Sequence, residues 1–353
     1  MTLKCAVTAV VAIGNSISAE LAEKDLVARG IPLSSVALIL MRDIDPPWMN
    51  QCATVLRYPG GPAYGVFGQW RFLGFYRAAA QLLRRLEKDA DVHDIYLVNN
   101  ENLISAHLLS VAECRPSINV TVVAEGLLNF HEVGRTDRAA WRWRVKPPIA
   151  RLLGYQYREP RDHLSGAFEP RVTRVVSFAA EGLKAPPEKV VLRHFQAVRP
   201  IRQSDPKVAL VVLNNWDPWM DAARLEIFAR AFVQWIEGCG FRRIQVKKHP
   251  LTSGGLVEEL LGDYEEVGSG LTMEGMAADL EAGTIIGISS TALVTLKLIR
   301  PDLHCIDFGS DYYSEHGNHG GGSAKTLFAA AGVALVQMPT ECDAASGQNK
   351  PVP

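Results

Sequence analysis

The sequence predicts an α/β fold of two facing Rossmann-like domains, and three observations predict it. Short apolar runs rich in β-branched residues alternate with helix-length segments from residue 5 onward. The alternation pauses at residues 197–207, which carry Pro200 and Pro206, and then restarts. The chain has 353 residues, more than one ordinary core holds, so two domains of roughly 150 residues each are expected. The boundaries read as 1–200 and 207–340, with 341–353 as a disordered tail. Polar clusters fall at the carboxyl ends of the expected strands, so the active site belongs in the cleft between the domains.

The elements justify this in order. Residues 5–13 are mostly apolar and read as a strand. Lys4 and the following apolar stretch mimic a signal peptide only weakly, because the apolar run is short. Gly14-Asn15-Ser16 turns into a helix that Gly30-Ile31-Pro32 stops. That turn suits either an anion at a helix N-terminus or a plain helix cap. Val36 to Met41 is the second strand. Residues 42–69 are irregular and Pro/Gly-rich, a length usually tied to function. A helix from Trp70 to Leu86 leads to a strand at Ile95–Val98. This strand ends in Asn99-Asn100-Glu101-Asn102, which can bind a hydroxyl-rich substrate or cap the helix after Leu103. Val120–Ala124 and Val172–Phe178 complete the first half. The second half places strands at 208–213, 243–248, 284–288, 303–308 and 334–338, with helices at 222–236 and 290–299. Gly317 to Gly322 form a glycine-rich loop flanked by His316 and containing His319.

Composition bounds the function. A net charge of −1 argues against a nucleic-acid binder. Six scattered cysteines without a CxxC pair read as reduced, buried thiols of a cytoplasmic protein rather than a zinc site. No apolar run reaches the ~18 residues of a membrane span. Charge is uneven, however. Residues 135–161 hold Arg135, Arg138, Arg142, Arg144, Lys146, Arg151, Arg158 and Arg161 against Asp137 and Glu159, with Trp141, Trp143, Tyr155 and Tyr157 interleaved. A solvated basic helix is the plain reading. The functional ones are an anionic glycan acceptor, with Arg142 and Arg144 as ligands, or peripheral association with an anionic inner-membrane face. Residues 251–283 are the converse, with eight acidic residues and no basic one.

Three strand-end motifs carry chemistry. Ala124-Glu125-Gly126 puts a carboxylate where a strand delivers catalytic groups, and glycine lets the backbone turn there. Lys247-Lys248-His249-Pro250 holds an imidazole beside cations, with proline stopping the strand. Ser289-Ser290-Thr291 offers two hydroxyls at a helix start, which suits a phosphate. Glu125 then reads as a general base, and His249 with Ser289 and Ser290 as a metal-free site for a leaving phosphate. Lys248, Pro250 and Asn214 complete the donor side, and Asn99 and Asn100 the acceptor side. Asp43-Ile44-Asp45 precedes two prolines and reads as a turn rather than a metal motif.

In order and context these motifs resemble those of the bacterial sialyltransferases, closest to the capsule α-2,8-polysialyltransferase-like group. That family has an acidic-acidic-Gly motif, a His-Pro motif and a later Ser-Ser/Thr motif. The chain departs from it at Ala124, where the family often has a second acid. The resemblance implies a GT-B glycosyltransferase that uses CMP-sialic acid, inverts the anomeric centre, and needs neither metal nor cofactor. Glu125 would deprotonate the acceptor hydroxyl, and His249, Ser289 and Ser290 would stabilise the departing CMP phosphate. The competing readings are another donor (CMP-Kdo or a UDP-sugar) and a non-catalytic protein that binds a nucleotide or glycan, which Ala124 favours.

Overall fold

The computed structural model describes residues 6–60, 65–131, 140–160, 163–213, 220–248, 255–268, 271–312 and 324–338; the side chains of 65–71 and 140–143 are outside this set. The chain divides into two compact units, Met1–His194 and Phe195–Pro353.

The first unit is a seven-stranded, wholly parallel sheet. Its strands are β1 (Ala9–Ile13), β2 (Val36–Leu40), β3 (Thr54–Leu56), β4 (Asp94–Leu97), β5 (Asn119–Val123), β6 (Val172–Ser177) and β7 (Val190–Leu192). They lie in the order β3-β2-β1-β4-β5-β6-β7. β1 and β2 are buried at every position. A parallel sheet covered on both faces requires this, and so these strands appear in sequence as unbroken apolar runs. Helices α1 (Ser16–Ala28), α2 (Gly65–Leu86), α3 (Leu103–Cys114) and α4 (Ala140–Leu153) accompany the sheet. α2 begins at Gly65, earlier than its apolar spacing suggests, and β3 lies inside the stretch expected to be irregular. β3 and β7 are three-residue strands at the two edges, too short to show a period.

The second unit repeats the plan with six parallel strands. These are β8 (Asp205–Val212), β9 (Arg243–Lys247), β10 (Glu265–Glu266), β11 (Ala282–Gly287), β12 (His304–Phe308) and β13 (Ala334–Val336), in the order β10-β9-β8-β11-β12-β13. Its helices include α5 (Ala222–Gly238), α6 (Leu256–Leu261), α7 (Met273–Met276) and α8 (Thr291–Ile299). Phe228, Phe232 and Phe308 pack together in its core, with Trp235 against Phe308. The stretch 197–207, expected as a linker, is tied to this unit: Val198 and Ile201 donate backbone hydrogen bonds to Ile299 and Ala278, and β8 starts at Asp205. Among the described residues Cys52, Cys114, Cys239 and Cys305 form no disulfide, and Cys114 is exposed rather than buried. No helix among the described residues is long and apolar enough to cross a membrane. Residues 341–353 and the Gly317–Gly322 loop lie outside the described residues.

One buried histidine makes the first unit acid-sensitive. His107 on α3 is 1% exposed. Its Nδ1 accepts the Gln156 N–H at 2.9 Å, so Nε2 carries the proton and faces Glu87 Oε1 at 2.8 Å. Burial lowers its pKa from 6.5 to about 4, and Arg84 adds to the effect. The unfolded chain therefore takes up this proton near pH 6.5 and the folded chain only near 4. Stability is present above pH 6.5 and is lost as pH falls across that window. The loss amounts to about 3 kcal/mol. Glu87, whose carboxyl is pushed up by burial, offsets part of it on protonation. Urea midpoints at pH 7 and pH 4.5 should differ in the wild type and differ less in His107→Gln. Equal pH sensitivity in the two proteins would exclude this role.

Candidate active site

In an open parallel sheet, ligands bind at the carboxyl ends of strands where the strand order reverses. In the first unit the reversal lies between β1 and β4. A cavity of about 130 Å³ sits there, lined among others by Gly14 after β1, Arg42 after β2, Asn99 and Asn102 after β4, and Glu125 after β5. Phe75 and Tyr76 of α2 form its apolar wall.

Glu125 is anchored through its backbone. Its N–H donates to Asn129 Oδ1 at 3.0 Å, and its carbonyl accepts from Asn15 Nδ2. Asn15 is also the N-cap of α1, where its Oδ1 accepts the Ser18 N–H at 2.8 Å. Gly126 follows with φ 140°, a conformation open to glycine and strained for other residues. The carboxylate accepts Asn99 Nδ2 at 3.1 Å through Oε1. Asn99 Oδ1 in turn accepts the Glu101 and Asn102 N–H groups at 3.1 and 3.3 Å. Asn102 caps α3. The asparagine cluster therefore caps α3, one of its two sequence readings, and also orients the carboxylate, a role that neither reading gave it. Glu125 keeps intermediate exposure through the cavity although it lies deep among protein atoms. Burial pushes its pKa above the ordinary carboxyl range, opposed by Arg42 and the Asn99 hydrogen bond and reinforced by Glu101. This is the environment of a general base that works nearer neutrality.

Other expected residues are placed differently. Asn100 is 2% exposed, and its Nδ2 donates to Glu169 Oε1 at 3.0 Å. It serves the body of the unit and does not line the cavity. Arg144 is exposed on α4, and the Arg142 side chain lies outside the described residues. Arg42, which lies within a stretch the sequence marks as irregular, is the cation lining the cavity among the described residues. Its aliphatic stem passes over Gly14, where an added Cβ would touch it at 3.9 Å.

In the second unit the reversal lies between β8 and β11. Ser289 and Ser290 leave β11 there, and Ser290 is the N-cap of α8 without a side-chain capping bond. Ser289 has φ 47°, the one positive φ of a non-glycine residue among those described. Its N–H donates to Asp307 Oδ1 at 2.7 Å. Asp307 is 1% exposed, and burial pushes its pKa up to about 6 against hydrogen bonds from Ser310 and Ser289. A buried carboxylate on β12 thus holds the serine turn in its strained shape. Lys248 is engaged by acids of its own unit. Its Nζ lies 3.0 Å from Glu266 and 3.5 Å from Glu258, and 5.7 Å from the Tyr264 ring centroid. Hydrogen bonds to Glu266 and Tyr264 raise its pKa. Asn214, His249 and Pro250 lie outside the described residues. Asp45 pairs with Arg57 at 3.0 Å.

Solved structures share this pair of parallel-sheet units. The chain is similar to the glycotransferase of kitacinnamycin, with a TM-score of 0.53 and 12% identity over 97% of this chain and 89% of the other. The fold is of the GT-B type. It is also similar to the UDP-GlcNAc 2-epimerase of Neisseria meningitidis bound to UDP-GlcNAc, with a TM-score of 0.50 and 12% identity over 97% of this chain and 90% of the other. No family model and no curated protein matches the chain in sequence. Identities this low carry the GT-B architecture alone. Within that architecture the two strand-order reversals bring forward Glu125 in one unit and Ser289 with Ser290 in the other.

Proposed function

We propose that this chain is an inverting sialyltransferase that moves sialic acid from CMP-sialic acid to a hydroxyl of an anionic glycan. The observation that carries the reading is the Glu125 carboxylate. It stands in a cavity at the strand-order reversal, oriented by Asn99 and carrying a raised pKa. The order of the three strand-end motifs supports it. In this reading Glu125 takes the acceptor proton as the hydroxyl oxygen bonds to the anomeric carbon. The bond from that carbon to the CMP phosphate oxygen breaks, and the electron pair leaves with CMP. Ser289, Ser290, the N-terminal amides of α8 and His249 meet the charge that develops on the phosphate, where preorganised donors act most strongly. The reading calls on no metal. Arg42 supplies a positive wall for an anionic acceptor.

A second reading replaces the donor with a UDP-sugar. The similarity to an epimerase bound to UDP-GlcNAc favours it.

The deciding experiment follows nucleotide release from CMP-sialic acid and, in parallel, from UDP-GlcNAc, with and without a sialylated oligosaccharide. The expected result is acceptor-dependent CMP release that EDTA leaves unchanged. UDP release with no CMP release would move the assignment to the second reading, and binding without either would leave a non-catalytic protein.

A further inference from the structure

Helix α4 carries its apolar stripe on the wrong side for a core helix. Val145, Ile149 and Leu152 are 41%, 48% and 87% exposed. At about 100° per residue they fall within an arc of about 60°. Ala150, on the opposite side, is fully buried, and Leu153 packs against the core beside it. The helix thus docks through Ala150 and Leu153 and turns three of its larger aliphatic side chains to solvent. A surface helix ordinarily does the reverse.

The charges around the stripe are of one sign. From residue 140 to 158 the sequence has Arg142, Arg144, Lys146, Arg151 and Arg158 and no acidic residue. Lys146 pairs with Glu101 at 3.2 Å and Arg158 with Glu113 and Glu169. Arg144 and Arg151 are exposed and make no ion pair among the described residues. By helical spacing both flank the same edge of the stripe. Trp141 and Trp143 belong to the same helix in sequence. An apolar stripe, a basic flank and tryptophans are the composition of a helix that lies in a lipid interface.

The geometry points to α4 as a membrane-surface anchor. It seats Val145, Ile149 and Leu152 at the headgroup boundary of a bilayer while Arg144 and Arg151 contact anionic headgroups. Charge complementarity selects an anionic bilayer, because a neutral one would gain nothing from the arginines. This inference does not depend on the sialyltransferase reading.

The test is co-sedimentation of the full chain with vesicles of phosphatidylglycerol and phosphatidylcholine, and with phosphatidylcholine alone. Binding is expected only to the anionic vesicles and should weaken with salt. Leu152→Asp, at a site 87% exposed, should abolish it with an unchanged melting temperature. The double variant Arg144→Glu/Arg151→Glu should weaken it by at least about tenfold. No binding to anionic vesicles, or binding that survives both variants, would overturn the proposal. So would a dimer that Leu152→Asp dissociates in a protein that ignores vesicles, since the face would then belong to a second copy.

Discussion

Glu125→Gln should lower acceptor-dependent transfer by about 10²- to 10⁴-fold, the usual contribution of a positioned general base. Glutamine has the same shape, and its Oε1 can still accept from Asn99 Nδ2, which lies 3.1 Å from the carboxylate in the wild type. The backbone bonds to Asn129 and Asn15 do not involve the substituted atoms. What disappears is proton affinity. The variant should therefore fold and bind donor normally while turnover collapses. The wild-type rate should also rise with pH through the raised pKa of Glu125, because only the ionised carboxylate accepts a proton. The residual rate of the variant should lack that limb. Rate measurements across pH on both proteins check both points, and undiminished turnover by Glu125→Gln would remove this residue from the chemistry.

Asp25→Ala should be the most damaging single change to stability, costing about 3–5 kcal/mol, as expected when one partner of a buried ion pair is deleted. Asp25 on α1 is fully buried. Its Oδ1 accepts from Arg174 on β6 and from Arg193 beyond β7, both at 2.7 Å. Its Oδ2 accepts the Tyr96 hydroxyl at 2.9 Å, and that hydroxyl accepts from Arg29, which pairs with Asp94 at 2.7 Å. One carboxylate thus joins the first helix to β4, β6 and the end of the sheet. Removing it leaves two guanidinium groups facing one another without a counter-charge. Urea unfolding of Asp25→Ala measures the cost. A loss below about 1 kcal/mol would mean that water replaces the carboxylate, since only exposed pairs are worth so little.

The inner strands were legible in the sequence because parallel strands buried on both faces cannot hide their composition. The two edge strands of the first sheet were not. Thr54–Leu56 and Val190–Leu192 are three residues long and half-wet, so neither period nor hydrophobicity marks them. The basic helix read within residues 135–161 is α4, which forms with Pro147 and Pro148 inside it. In the candidate site, Glu125 and Asn99 are legible because both follow strands. Arg42 also follows a strand, but the Pro/Gly-rich stretch after it gives a single arginine no pattern that sets it apart. Asn100 is indistinguishable from Asn99 in sequence, while the backbone turns one toward the cavity and the other into the protein. Asp307 gave no signal at all. Its role depends on β12 lying beside β11, a neighbour relation that only the fold supplies.

Asn15 binds two tasks into one side chain: one amide starts α1 and steadies the carbonyl of Glu125. The rim of the cavity on this side is therefore closed to diversification, since a change there disturbs folding and chemistry at once. The opposite rim is tied to the base only through Arg42, whose charge opposes the rise in the Glu125 pKa, and to the core through Phe75. Arg42, Phe75 and Tyr76 face the same space from a loop and from α2. A lineage or a laboratory seeking a new acceptor has its freedom at Tyr76, half-buried on α2, where variation would retune selectivity and leave Glu125, Asn99 and Arg42 in place.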